Sequence, residues 1–147
     1  MILRTHYLEQ AIPFVDQDLI KIFTGIRRSG KTVLMKQMRD WLLDHGRHPE
    51  QVLLFNMESL QTRRKAQEGR LYDDILSYAK AHPQKLYLFF DEIQEVKDWE
   101  KCINSLRIEL NCDIYITGSN AKLLSGELAT YLAGRYVEFV IYPFSFS

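Results

Sequence analysis

Gly25-Ile26-Arg27-Arg28-Ser29-Gly30-Lys31-Thr32 spells G-x-x-x-x-G-K-T, with the apolar Ile20-Lys21-Ile22-Phe23 just before it and a helical pattern just after. That is the context of a phosphate-binding loop between a strand and a helix. Glycines at its ends let the backbone wrap an anion, so that successive N–H groups and the positive end of the next helix point at phosphate oxygens. Lys31 is then placed to reach β- and γ-phosphates, and the Thr32 hydroxyl to sit on Mg²⁺. The expected nucleotide contacts are Gly25, Arg28, Ser29, Gly30, Lys31, Thr32 and Val33.

A second chemical stretch lies further along. Leu86-Tyr87-Leu88-Phe89-Phe90-Asp91-Glu92 is an apolar strand that ends abruptly in two carboxylates. A strand this apolar is buried on both faces, as in a parallel sheet between helices, and ligands of such sheets bind at the C-terminal strand tips. Asp91 is expected to hold Mg²⁺ through water, and Glu92 to orient or deprotonate the attacking water. Ile114-Tyr115-Ile116-Thr117 reads as another buried strand, with Gly118-Ser119-Asn120 at its tip. Ser119 and Asn120 can hydrogen-bond the γ-phosphate or the water, or can cap the helix expected over 121–132.

The remaining elements follow from periodicity and breakers. Residues 4–11 read as a short helix ended by Pro13, and Leu19–Thr24 as the first strand. Over Thr32–His45 the residues Leu34, Met38, Trp41, Leu42 and His45 recur at three- and four-residue steps, a helical stripe that Gly46 terminates. Val52–Asn56 reads as a strand, the polar stretch from Met57 to Arg70 as a solvated connection, and Leu71–Ala81 as a helix. Asp98 is expected to cap a helix carrying Trp99, Ile103, Leu106 and Leu110. Tyr136–Ile141 reads as the last strand, stopped by Pro143.

Composition narrows the classes. A chain of 147 residues at 46% hydrophobic suits one domain, and the 19 Lys+Arg against 19 Asp+Glu give no support for a nucleic-acid or acidic-membrane partner. The N-terminal stretch has charge within a few residues and no apolar run of signal-peptide length, so the chain reads as cytoplasmic. Cys102 and Cys112 lack C-x-x-C spacing and read as reduced structural thiols, and none of His6, His45, His48 and His82 is assigned to catalysis.

The motifs together carry a resemblance. G-I-R-R-S-G-K-T at Gly25–Thr32, F-D-E-I-Q at Phe90–Gln94 with Trp99-Glu100 following, I-T-G-S-N-A at Ile116–Ala121, L-L-S-G at Leu123–Gly126 and L-A-G-R-Y at Leu132–Tyr136 are similar to prokaryotic AAA-superfamily ATPases. The narrower likeness is to a group in which this domain precedes a winged-helix-like segment and a nuclease-like C-terminal domain. It implies an α/β fold: a three-layer P-loop NTPase with a five-stranded parallel sheet in the order 5-1-4-3-2. It also implies ATP and Mg²⁺ as ligands, Ser119 or Asn120 as first sensor, and Arg135 as a candidate arginine finger; lying just before the fifth strand in the expected order, Arg135 would act on a neighbour in a homo-oligomer, and the alternative is a surface salt bridge at the strand start. Residues 1–147 are expected to be the ATPase core alone, without the lid and C-terminal domain of relatives. ATP hydrolysis is the activity expected, and a non-hydrolysing nucleotide switch or partner-docking remnant is the alternative. A GTPase is disfavoured because no N-K-x-D guanine reader is present, and a small-molecule phosphotransferase because Glu92 beside Asp91 suits a water nucleophile.

Overall fold

The computed structural model describes residues 2–25, 30–57, 59–67, 69–96, 98–118 and 135–141. In chain order these form α1 (Ile2–Ala11), β1 (Ile20–Thr24), α2 (Lys31–Asp44), β2 (Val52–Asn56), α3 (Leu60–Gln67), α4 (Arg70–Ala81), β3 (Leu86–Asp91), α5 (Trp99–Glu109), β4 (Cys112–Gly118) and β5 (Tyr136–Val140), with single 3₁₀ turns at Ile12–Phe14, Pro49–Gln51 and Ile93–Glu95. All strand pairs are parallel, in the order β2-β3-β4-β1-β5. Read from the other edge this is 5-1-4-3-2, so β4 lies between the phosphate-loop strand and the strand that ends in Asp91.

Alternation along the buried strands sorts their side chains into two cores. On one face Ile20, Ile22, Leu86, Leu88, Phe90, Ile114 and Ile116 meet Leu71 and Ile75 of α4 and Trp99, Ile103 and Leu106 of α5. On the other, Phe23, Phe89 and Tyr115 meet Leu34, Met35, Met38 and Leu42 of α2, with Ala11 of α1. The result is three layers. Each fully buried leucine or methionine on α2 contributes about 1.5–3 kcal/mol, so the stripe fixes the helix whose first turn carries Lys31. Gly46, at φ 90°, turns the chain out of α2, and the Arg47 N–H returns to the Leu42 carbonyl at 3.1 Å.

A polar network pins the N-terminal end of the sheet. The Lys21 ammonium, with no exposed surface, pairs with Asp113, whose other oxygen accepts from the Tyr115 hydroxyl at 2.6 Å and from the Asp16 N–H at 2.9 Å. Asp16 in turn meets Arg47 at 2.7 Å, Lys85 at 2.9 Å and the Tyr87 hydroxyl at 2.8 Å. A buried charge is tolerated only when paired in this way. Burial pulls the Lys21 pKa down against the opposing pull of Asp113, and it drives the Tyr115 hydroxyl up.

Several expectations change. The polar stretch after β2 holds α3, whose sequence LQTRRKAQ has good helix formers but no apolar stripe to announce it; Leu60 is 62% exposed. Asp98 precedes α5 but makes no side-chain cap, because at φ 60° it sits in the left-handed region rather than the extended one that aims a capping oxygen at the helix. His45 is exposed and not part of the buried stripe; it stacks on Trp41 with ring centroids 4.0 Å apart. Both cysteines are free thiols whose burial pushes them up, Cys102 to about 11 and Cys112 to about 12. Among the described residues no helix is long and apolar enough to cross a membrane. The helix expected over 121–132 lies outside the described residues.

Candidate functional site

The site is built where the C-terminal ends of β1, β3 and β4 come side by side. Gly30 stands at the N-cap of α2 with φ 92° and ψ 16°, a conformation open to glycine and strained for a side chain bearing a Cβ. Its carbonyl accepts the Leu34 N–H at 3.0 Å and closes the first helical turn. Lys31, the first residue of that turn, is 4% exposed. Its ammonium donates to the Gly25 carbonyl at 2.9 Å and lies 3.3 Å from Glu92 Oε2, so it ties the start of the loop to the end of β3.

The carboxylates are held from three elements. Asp91, 2% exposed, accepts the Thr32 hydroxyl of α2 at 2.9 Å on one oxygen and the Thr117 hydroxyl of β4 at 2.5 Å on the other. The Thr117 oxygen also accepts the Glu92 N–H at 2.9 Å. Glu92 itself has φ 56° and ψ 48°, a left-handed conformation that costs a non-glycine residue on the order of 1 kcal/mol or more. That turn redirects the chain from β3 and leaves the Glu92 carboxylate between Lys31 and Gln94, whose amide donates to Glu92 Oε1 at 2.6 Å. A phosphate-sized anion meeting Lys31 and the α2 N-terminus would find a point charge and a helix dipole of the right sign.

Residues 17–147 match a family profile described as an AAA domain. The chain belongs to that family. An uncharacterised protein of Haemophilus influenzae is 49% identical over 146 residues, covering 99% of this chain and 36% of its own length. The chain thus spans about a third of the length of that curated relative. Among solved structures, C. elegans PCH-2 superposes with a TM-score of 0.61 at 18% identity, over 99% of this chain and 41% of that one. AMPPCP-bound DnaA from Aquifex aeolicus gives a TM-score of 0.59 at 15% identity, over 91% and 43%. At such identities the likeness carries the fold: a P-loop NTPase core of AAA type. Membership of the AAA family supports nucleotide binding by this chain.

Within this AAA domain, Gly25, Gly30, Lys31, Thr32, Asp91 and Glu92 are brought together. Val33 is in the first turn of α2 and 45% exposed, with no part in the hydrogen-bonded cluster. Arg28, Ser29, Ser119 and Asn120 lie outside the described residues. Arg135 is not brought to the site. Its carbonyl accepts the Ile20 N–H at 3.0 Å at the start of β1, and its guanidinium pairs with Asp18 at 3.6 Å, 56% and 75% exposed respectively. The phosphate loop leaves the other end of β1, four residue steps or about 13 Å away.

Thr117 and Gln94 were not among the site residues expected from sequence. Thr117 looked like one more β-branched strand residue. Its signal was positional: a hydroxyl just before the Gly118 tip of the strand beside the carboxylate strand. Gln94 lay within the F-D-E-I-Q stretch, but a glutamine after an Asp-Glu pair does not by itself say which way it folds back.

Proposed function

We propose that this chain binds ATP with Mg²⁺ and hydrolyses it to ADP and phosphate, with residues 1–147 acting as one ATPase core. The observation that supports it best is the convergence of a buried lysine, a helix-start hydroxyl and two strand-tip carboxylates in one hydrogen-bonded cluster. The donor set fits Mg²⁺: the Thr32 hydroxyl and the Asp91 carboxylate, 2.9 Å apart, are hard oxygen groups, and Mg²⁺ is commonly held by one or two carboxylates with phosphate oxygens and waters completing its shell. When bound, the ion would neutralise charge on the β- and γ-phosphates.

The chain's own groups divide the remaining work. Lys31 exchanges Glu92 for the β/γ-phosphates, where its charge opposes that of the triphosphate. Glu92, released from the ammonium, orients the attacking water and accepts its proton as the new P–O bond forms and the bond to the ADP oxygen breaks. Thr117 holds the Asp91 carboxylate and the Glu92 backbone in register while this happens. The absence of an N-K-x-D sequence supports adenine over guanine as the base. The sensor role of Ser119 or Asn120 is part of the same reading, and substitution of each would show which one affects turnover.

Phosphate release at saturating ATP, set beside nucleotide titration, tests the proposal. Lys31→Ala should abolish ATP binding and leave the fold intact. Glu92→Gln should retain ATP and slow hydrolysis by about 10²–10⁴. Wild-type affinity in the lysine variant, or wild-type turnover in the glutamate variant, removes the corresponding role.

A further inference from the structure

We propose that Gln94 is a positioning residue that keeps the Glu92 carboxylate aimed at the attacking water after Lys31 has turned to the phosphate; this rests on the hydrolytic reading above. The two Glu92 oxygens have separate holders: Oε1 accepts from the Gln94 amide at 2.6 Å, and Oε2 faces the Lys31 ammonium at 3.3 Å. Only one of these holders persists through the reaction. Lys31 is the group the phosphates require, and a lysine that neutralises a γ-phosphate no longer fixes a carboxylate on the strand beside it. The Gln94 amide bears no charge that would draw it to the phosphates. It is neutral at every working pH, so it orients Glu92 without cancelling the charge that makes Glu92 a base.

Gln94 stands on a buried, hydrogen-bonded turn. Gln94 is the middle residue of the 3₁₀ turn Ile93–Glu95, and the residues on either side of it in the core, Ile93 and Val96, are 3% and 4% exposed. The Val96 N–H closes the turn onto the Ile93 carbonyl at 3.0 Å. Together with the Thr117 bond to the Glu92 N–H at 2.9 Å, this fixes the backbone on both sides of the Glu92 side chain. What remains free is the carboxylate itself, and the Gln94 amide supplies the donor that restrains it. A misplacement of about 1 Å at a water-activating group costs on the order of 10²-fold, so a restraint of this kind has a kinetic consequence.

Gln94→Met keeps length and removes the donor; Gln94→Glu keeps size and polarity but faces one carboxylate with another. Thermal melts establish folding of each, and Gln94→Glu carries the comparison should the methionine variant not fold. ATP affinity should stay within about twofold, and kcat should fall about tenfold in Gln94→Met, the scale of losing a hydrogen bond to a charged group, and further in Gln94→Glu. Single-turnover rates in the Glu92→Gln background should show little added loss, since there is no longer a base to aim. Unchanged kcat, a loss expressed as weaker ATP binding, or a loss that adds in full to that of Glu92→Gln overturns the assignment. Wild-type turnover by Glu92→Gln alone refutes the hydrolytic reading instead, and the two failures are told apart by which variant shows them.

Discussion

Thr117→Val is the substitution whose consequence follows most directly from the geometry. Valine matches threonine in shape and replaces the hydroxyl with a methyl group at a position with no exposed surface. Two bonds are lost at once: the one donated to Asp91 at 2.5 Å and the one accepted from the Glu92 N–H at 2.9 Å. A hydrogen bond to a charged group contributes about 1.5–3 kcal/mol, and a backbone donor left without a partner adds about 1 kcal/mol or more. Allowing for non-additivity between bonds that share one oxygen, the cost is about 3 kcal/mol. For a domain of this size that lowers Tm by about 6–12 °C. Thr117→Ser retains the hydroxyl and should lose only the small contribution of a buried methyl, about 1 kcal/mol. Calorimetry on the three proteins measures the difference. Turnover should fall in the valine variant and be largely preserved in the serine one, because Asp91 and the left-handed Glu92 lean on the same oxygen. A valine variant melting within about 2 °C of wild type would show that Asp91 and Glu92 hold their positions without Thr117.

Three further outcomes are expected. Asp16 feels burial raising its pKa, but its bonds to Lys85, Tyr87 and Arg47 outweigh this and bring it to about 2 from 3.8; its contribution is present above pH 3.8 and is lost as pH falls toward 2, and because the side chain is 38% exposed, screening holds it to about 1 kcal/mol. Asp16→Asn should therefore cost that much at pH 6 and much less at pH 2, read from denaturant melts at the two pH values. Arg135→Ala should change stability by less than about 1 kcal/mol and leave turnover per molecule near wild type and independent of protein concentration, as fits an exposed ion pair with Asp18; a loss of turnover that is restored by mixing with Glu92→Gln would instead establish an arginine finger acting between chains. Glu92→Gln should bind ATP about fivefold more tightly than wild type, measured by titration, since the competing partner of Lys31 has lost its charge; unchanged affinity would mean that the 3.3 Å pair does not restrain the lysine.

The sheet was legible because its strands are short apolar runs with chemical punctuation at their C-terminal ends. Gly25 and Asp91-Glu92 mark the tips of β1 and β3, and burial on both faces forces β3 and β4 into the middle of the sheet. The order of strands did not follow from periodicity, which says nothing of neighbours, and came from the resemblance. α3 was missed for the opposite reason: its helix formers lack the apolar spacing that periodicity detects, since the helix packs only lightly, against α4 and β2. Asp98 misled because residue type suggests a cap while the backbone angle decides whether the oxygen can reach.

The polar contacts of the site were legible in identity and not in arrangement, and burial explains why they are arranged as they are. Lys31 and Asp91 are almost fully enclosed, so each needs a partner in the protein itself. The partners come from within the site: the ammonium takes Gly25 and Glu92, and the Asp91 carboxylate takes Thr32 and Thr117. On the proposed reading, nucleotide binding exchanges the internal bonds of Lys31 for external ones, and the affinity is the difference between the two sets. The exchange also has an order built into it. In the proposed reaction Lys31 leaves Glu92 when a phosphate replaces it, so the base is uncovered by the arrival of the group it acts on, while the Thr117 bonds to the Asp91 carboxylate and the Glu92 N–H need no exchange.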